Sequence, residues 1–404
     1  MAIRSRVLLS VVPALVLAVA ASAWGQAPEG KRANGKNHPI IKMVLQRYDK
    51  DNDERLSAAE LDTLTKDIQS GKLALPPGVR ERVLQMLAQL DGRDPNRQSR
   101  EGQPPRPGLL AALAEKVILE RDVEYGHAGQ RALKLDLARP KQTSDKPLPV
   151  IVFIHGGGWQ SGDKASGIPR LALFAVEGNY VCASIGYRLS GEATWPAQIY
   201  DCKAAIRWLR ANAKKYNLDP DKIGVWGGSA GGHLVSLLGT SGDVKELEGD
   251  CGSPGQSSRV TCVVDFCGPS DLTVIPDVPQ AAPVVKLLGG PLAEKRAEAK
   301  AASPVTYVSK DAPPFLIVHG TDDRTVSIRQ AEILYEALQK AGVEATFVKI
   351  EGGGHGIGGP EVLERVTAFF NKHLRGQDVT ISDEPIQFAS PKGPASAPAK
   401  RARP

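Results

Sequence analysis

From residue 149 onward, short unbroken apolar runs alternate with stretches whose apolar residues recur every three or four positions. The runs are Pro149–Ile154, Tyr180–Ile185, Lys222–Trp226, Val260–Phe266, Phe315–Val318 and Ala345–Ile350. They are too short for helices and rich in β-branched residues, so they predict strands. The intervening periodic stretches predict helices: one after Pro196 carrying Ile206, Trp208 and Leu209, one from Ala230 through Leu234, Leu237 and Leu238, then Ala331–Ala341 and Glu361–Leu374. Strands apolar at every position have both faces buried. Their alternation with helices predicts an α/β fold, a mostly parallel sheet with helices on both sides.

The chain before this region has a different pattern. Ile40, Ile41, Val44, Leu45 and Tyr48 fall on one helical face; Leu61, Leu64 and Ile68 on a second; Val79, Val83, Met86, Leu87 and Leu90 on a third. A polar, proline- and arginine-rich stretch, residues 91–108, reads as a linker. At the very start, Arg4 and Arg6 precede an apolar stretch from Val7 to Ala21 and the small-residue site Ala21-Ser22-Ala23. That pattern predicts a secretory signal peptide cut after Ala23, and hence a secreted or periplasmic protein. The apolar stretch is shorter than the roughly 20 residues that span a bilayer, so no integral membrane association is expected after cleavage. The expected organisation is residues 1–23 signal peptide, 24–108 a small helical unit with its linker, 109–376 the sheet domain, and 377–404 a Pro/Ala/Lys-rich disordered tail.

Composition narrows the partners. The 404 residues are 42% hydrophobic and 24% charged, ordinary for a globular protein, with a net charge of +6. No basic stripe interleaved with aromatics is present, which argues against nucleic acid. Five cysteines, Cys182, Cys202, Cys251, Cys262 and Cys267, have no zinc spacing. Export would permit disulfides, and a Cys251–Cys262 bridge is one expectation.

The chemistry lies in three glycine-rich segments. Gly227-Gly228-Ser229-Ala230-Gly231 fits G-x-S-x-G between a strand ending at Trp226 and a helix beginning at Ala230. A turn that tight needs glycines on either side and pushes the Ser229 hydroxyl out above the sheet as a nucleophile. A capping Ser in a glycine-rich turn is the plainer alternative. The second segment, His155-Gly156-Gly157-Gly158-Trp159, follows a strand. Its glycines allow backbone amides to approach a developing oxyanion, and the expected donors are Gly157, Gly158 and Ala230. His155 is expected to brace the loop, and Trp159 to wall the pocket or to pack in the core. The third, Glu351-Gly-Gly-Gly-His355-Gly356, follows the last strand and offers His355 as the base. Two neighbouring acids at the end of strand Phe315–Val318, Asp322 and Asp323, compete for the third role. His233, one turn beyond Ser229, is expected to be packed.

His155-Gly-Gly-Gly-Trp159, Tyr187-Arg188-Leu189, Gly227-x-Ser229-Ala230-Gly231, His319-Gly-x-x-Asp323 and Gly354-His355 together resemble the α/β-hydrolase esterases. The nearest resemblance is to the bacterial feruloyl and acetyl-xylan esterase group, close to the hormone-sensitive-lipase-like branch. It spans residues 117–374 and implies a Ser229–Asp323–His355 triad, because the acid of this group falls at the Asp of H-G-x-x-D. The lipase-like branch continues Y-R-L with Ala-Pro-Glu, whereas Ser190-Gly191-Glu192 stands here, which favours the carbohydrate-esterase group. The resemblance implies hydrolysis of acetyl, feruloyl or other short-chain esters of small molecules or polysaccharides, with no cofactor for catalysis. A prolyl-oligopeptidase-type peptidase and an arylformamidase-like amide hydrolase share parts of this pattern. The first normally carries a large propeller, and export argues against the second.

Asp49-Lys-Asp51-Asn-Asp53-Glu54-Arg55-Leu-Ser57-Ala-Ala-Glu60 resembles an EF-hand loop. The resemblance implies Ca2+ held by Asp49, Asp51, Asp53, the Arg55 carbonyl, Ser57 through water and bidentate Glu60. Glu54 stands where the loop normally has Gly for a left-handed turn, at a cost of about 1 kcal/mol. Weak binding, or a solvated acidic loop, follows from that departure. A calcium-responsive binding module with an inactive hydrolase domain would need a broken triad, and the motifs are complete.

Overall fold

The computed structural model describes residues 115–388 apart from 143, 243 and 277–280, together with residue 113 and short stretches between 46 and 73. The expected signal peptide, the EF-hand-like loop from Asp49 to Glu60 and the end of the C-terminal tail lie outside the described residues. In the small N-terminal unit, Tyr48 and Leu64, Ile68 and Leu73 are buried. The Tyr48 hydroxyl donates to the Asp67 carboxylate at 3.0 Å, which ties together the helical residues on either side of that loop.

The main body is a nine-stranded sheet in the order β1-β2-β4-β3-β5-β6-β7-β8-β9. The strands are β1 Val117–Ala128, β2 Arg131–Pro140, β3 Leu148–Ile154, β4 Val181–Ile185, β5 Leu218–Gly228, β6 Cys262–Phe266, β7 Phe315–Gly320, β8 Ala345–Glu351 and β9 Ile386–Gln387. All pairings from β4 onward to β9 are parallel, while β1–β2 and β2–β4 are antiparallel. The longer helices are α1 Gly167–Glu177, α2 Ala197–Ala211, α3 Ala230–Thr240, α4 Ala282–Leu288, α5 Arg296–Ala301, α6 Arg329–Lys340 and α7 Pro360–Arg375.

The unbroken apolar strands serve two cores. Along β3, Val150, Val152 and Ile154 enter one cluster with Leu234 of α3 and Leu334 and Leu338 of α6. Ile151 and Phe153 enter the other, with Phe174 of α1 and Phe370 and Leu374 of α7. Each such fully buried side chain contributes about 1.5–3 kcal/mol relative to exposure. Helix α7 is bounded as its sequence dictates, by Pro360 in its first turn and by Gly376 in the left-handed conformation at its end.

Three elements depart from the sequence expectations. The β1–β2 hairpin was not anticipated, because its strands are charged and interrupted: the register shifts between Glu120 and Val123, where Asp122 takes φ 55°. Its charges are used across the pair, with Arg139 Nε donating to Glu120 at 3.0 Å. Within the tail expected to be disordered, Ile386–Gln387 adds a short parallel strand beside Ile350 and Glu351. No disulfide joins Cys251 to Cys262; all five cysteines are free and buried. Cys251 belongs to the cluster on one face of the sheet and Cys262 to that on the other, so the sheet separates them.

The strand order reverses around β3, which has β4 on one side and β5 on the other. That is where an open parallel sheet leaves a crevice beyond its carboxyl ends. Ile154 of β3 pairs with Gly227 of β5, so the loop after β3 meets the turn after β5. A Cβ added to Gly231 would overlap the carbonyl oxygen of Ile154, and one added to Gly156 would lie 2.6 Å from the Gly228 oxygen. Gly231→Ala is therefore expected to destabilise the domain by about 2 kcal/mol or more, or to prevent folding. Chemical denaturation checks this; an unchanged midpoint would mean that the contact between loop and turn is dispensable.

Candidate active site

Five strand ends meet at the crevice. The segment His155–Trp159 follows β3, Ser229 follows β5, Cys267 follows β6, Asp323 follows β7 and His355 follows β8. Ser229 has φ 58° and ψ −124°, a backbone conformation a non-glycine residue adopts only when its surroundings enforce it. Here the Ser229 amide donates to the Phe266 carbonyl at 2.7 Å, and the Ser229 carbonyl accepts the His233 amide at 3.0 Å. A Cβ at Gly227 would overlap the Gly231 carbonyl, which is why the turn needs both glycines. The amide of Ala230 opens α3, where the helix dipole favours negative charge.

Asp323, not Asp322, meets His355: its Oδ2 lies 2.7 Å from His355 Nδ1. The amides of Thr325 and Val326 donate to Asp323 Oδ1 at 2.8 and 3.0 Å. Burial pushes this carboxyl up, but the hydrogen bonds from His319, His355 and the Val326 amide outweigh it and hold the group well below the usual carboxylate range. Asp322 is exposed, its amide bonded to the Gly353 carbonyl at 2.8 Å. It is a turn residue.

The glycine loop is shaped for donors. Gly157, Gly158 and Trp159 have φ of 109°, 60° and 55°. The Gly157 carbonyl accepts the amides of Gln160 at 3.2 Å and Ser161 at 3.1 Å, which turns it into the loop. His155 braces this segment. Its ring stacks on Tyr187 at 4.3 Å, and the Tyr187 hydroxyl donates to the His155 carbonyl at 3.0 Å. Burial lowers its pKa, so it is a neutral strut. The neighbouring Arg188 is fixed by Asp201, whose Oδ1 lies 2.7 Å from Nη2.

Trp159 does both things expected of it. It is buried and also lines the cleft. Its indole donates to His233 Nδ1 at 3.2 Å, while His233 Nε2 donates to the Ala302 carbonyl at 2.6 Å. His233 is thus packed and neutral, with its pKa lowered to about 4 by burial.

Sequence reasoning passed over three neighbours. Cys267, at φ 45°, places Sγ 3.5 Å from the His355 carbonyl. Burial, then the nearby Asp323, push its thiol up, so it stays protonated. Single ligand atoms of Cys267, Asp323 and His355 lie within 4.8 Å of one another. His319 is fully buried, with Nε2 donating to the Val326 carbonyl at 2.8 Å and lying 3.3 Å from Asp323 Oδ2. The four-residue spacing in His319-Gly-x-x-Asp323 was the available signal for it. Asp265 sits beneath the turn, accepting from the Gly268 amide at 2.9 Å and the Ser236 hydroxyl at 3.0 Å. Burial raises its pKa to about 6.

Beside Ser229 opens a cleft of about 470 Å3 lined by Trp159, Pro269, Ile275, Pro283 and Val284, with Arg324 and Arg329 on one wall. The stretch from Leu272 to Lys310 contributes Val274, Ile275 and Pro283 to the lining. Among the described residues no helix is long and apolar enough to cross a membrane.

His233 and Asp265 give opposed pH dependences. His233 has a folded pKa of about 4 against 6.5 unfolded, so its contribution is present above pH 6.5 and is lost as pH falls towards 4. Asp265 has a folded pKa of about 6 against 3.8, so its contribution is present below pH 3.8 and is lost as pH rises towards 6. Each is worth about 3 kcal/mol, and across pH 4–6 they offset one another. Relative to wild type, Asp265→Asn should gain stability as pH rises from 4 to 6, and His233→Gln should gain as pH falls from 6.5 to 4. Urea denaturation at several pH values measures both; parallel profiles for the variants and wild type would refute the opposition.

Residues 135–338, half of the chain, match the BD-FAE family. The chain is 33% identical over 259 residues to esterase LipC of Mycobacterium tuberculosis, covering 62% of this chain and 63% of that protein. It is 33% identical over 288 residues to the probable carboxylic ester hydrolase LipM of the same organism, covering 67% and 66%. The chain thus spans just under two thirds of the length of these relatives. Among solved structures, a truncated carbohydrate esterase from gut microbiota is 33% identical with a TM-score of 0.59, over 64% of this chain and 96% of that one. Sheet, crevice and matches agree: this chain belongs to the BD-FAE family of α/β-hydrolase esterases.

Proposed function

We propose that the protein is an exported serine carboxylic ester hydrolase, with Ser229 as nucleophile, His355 as base and Asp323 as the orienting acid. The observation that carries the reading is the 2.7 Å bond between His355 Nδ1 and Asp323, on the sheet edge that presents Ser229. With Nδ1 held by the carboxylate, Nε2 is left as the basic nitrogen. It takes the Ser229 Oγ proton as Oγ attacks the ester carbonyl. The oxyanion forms against the amides of Gly157, Gly158 and Ala230, each worth about 3–4 kcal/mol at the transition state. The C–O bond then breaks, and His355 returns the proton to the departing alkoxide. Water, deprotonated by the same imidazole, attacks the acyl-Ser229 and releases the acid. Asp323 stays ionised throughout, in keeping with its depressed pKa.

The substrate reading is an acetyl, feruloyl or other short-chain ester of a carbohydrate. It is supported by the carbohydrate esterase among the similar structures and by an apolar cleft large enough for an aromatic or short acyl group. The signal-like N-terminus supports action outside the cytoplasm.

Ser229→Ala should lower kcat about a millionfold with the fold intact. Asp323→Asn should cost about 10,000-fold and Asp322→Asn at most a few-fold. The assay is hydrolysis of 4-nitrophenyl acetate, butyrate and octanoate beside methyl ferulate and acetylated xylan. Substantial turnover by the Ser229 variant would remove it as nucleophile. Failure of the folded wild type on every ester would sink the esterase reading.

A further inference from the structure

The cleft beside Ser229 is apolar except on one wall, where two arginines stand without an acid among the described lining residues. Arg329 is already neutralised, with Nη1 2.7 Å from Glu336. Arg324 is not. It is exposed, lines the cleft, and makes no ion pair or hydrogen bond with any described residue. Its two neighbours in sequence do not supply one. The Asp323 carboxylate faces inward, with its oxygens taken by the Thr325 and Val326 amides and by His355. The carboxylate of the exposed Asp322 accepts from the Thr321 hydroxyl at 3.5 Å. The acid that orients the base is thus turned into the protein, while the next residue lies exposed at the cleft with no partner for its guanidinium among the described residues.

An unpaired cation at the rim of an apolar cleft rewards a ligand that is apolar near the reacting carbonyl and anionic farther out. A guanidinium offers the planar fork that matches a carboxylate in a bidentate contact. Resting on the esterase reading above, we infer that Arg324 receives a carboxylate carried by the substrate, so that the enzyme prefers esters with an acidic group over neutral esters of the same size. In chemical class this is either a dicarboxylic acid esterified at one end or an acylated hydroxy acid, such as an acylated uronic acid unit. The shared element is the carboxylate. Whether it lies on the acyl or the alcohol side is what the two arms of the test separate.

The acyl arm compares mono-4-nitrophenyl adipate with 4-nitrophenyl hexanoate. The alcohol arm compares 4-acetoxybenzoate with phenyl acetate. The measured quantity is the ratio of kcat/KM for the acidic ester to that for its neutral counterpart, corrected for spontaneous hydrolysis. Wild type should show a ratio above one on at least one arm, falling as salt rises, because the guanidinium is solvent-exposed. Arg324→Gln should lower that ratio about tenfold, chiefly through KM, and Arg324→Glu should lower it further. Arg324→Lys should restore part of it. Any disturbance that substitution causes at neighbouring Asp323 acts on both members of a pair and cancels in the ratio. A wild-type ratio at or below one on both arms, or one that Arg324→Gln leaves unchanged, would overturn the inference. Absence of turnover on the neutral esters as well would instead mark failure of the esterase reading itself.

Discussion

The close approach of backbone to backbone between the end of β3 and the turn after β5 is the constraint on which the site depends. Ser229 holds φ 58° because Gly227 and Gly231 leave no side chain in the way and because the Phe266 carbonyl takes its amide. The same approach presses Gly156 against the turn and brings the glycine loop within reach of the space above Ser229. One packing arrangement therefore sets both Ser229 and the glycine loop, the proposed nucleophile and oxyanion donors. The strain of order 1–3 kcal/mol at Ser229 is offset by two cores packed on either side of the sheet.

A second layer of polar groups supports the first from below. His319, Asp265 and His233 are buried, and none is positioned to touch substrate. His319 and the Val326 amide lie against Asp323, keeping its carboxylate ionised and aimed at His355. His233 ties the indole of Trp159 to the Ala302 carbonyl, joining the glycine loop to the segment that walls the cleft. Buried groups of this kind are costly when left unpaired, so they hold the catalytic loops in a single arrangement. The opposed shifts of His233 and Asp265 share one cause: burial disfavours the charged form of each, lowering the imidazole to about 4 and raising the carboxyl to about 6.

The central strands and the placing of the glycine-rich segments at one end of the sheet were legible because each rests on a local pattern. Doubly buried strands are apolar at every position, and a tight strand-to-helix turn demands glycines at fixed spacing. Ser229, His355 and the glycine loop follow from such patterns. The choice between Asp322 and Asp323 does not, because both are acids at a strand end and only the direction of the side chain separates them; the resemblance to H-G-x-x-D favoured the residue that the geometry joins to His355. The β1–β2 hairpin was illegible for the opposite reason. At an edge only part of each strand is buried, charges pair across the strands, and a bulge at Asp122 breaks the period of two. β9 is two residues long, too short for any periodicity, and follows a helix whose glycine cap reads as an end. The expected disulfide failed because spacing along the chain carries no information about which face of a sheet a cysteine occupies.

Arg324 illustrates how close the general and the particular lie in such a site. A single residue separates the carboxylate that the proposed reaction needs from a cation that it does not need. In the proposed triad Asp323 must face inward, towards His355, and the backbone amides of Thr325 and Val326 hold it in that direction. The turn that buries Asp323 leaves Arg324 outward at the cleft. The proposed mechanism constrains the first position to an acid, whereas the proposed role of the second depends only on what enters the cleft. A positive charge there, without a partner among the described residues, repels cations and attracts anions, so its electrostatic effect appears chiefly with an anionic substrate. Substrate selection can thus be altered at position 324 without moving the hydrogen bonds that orient the base.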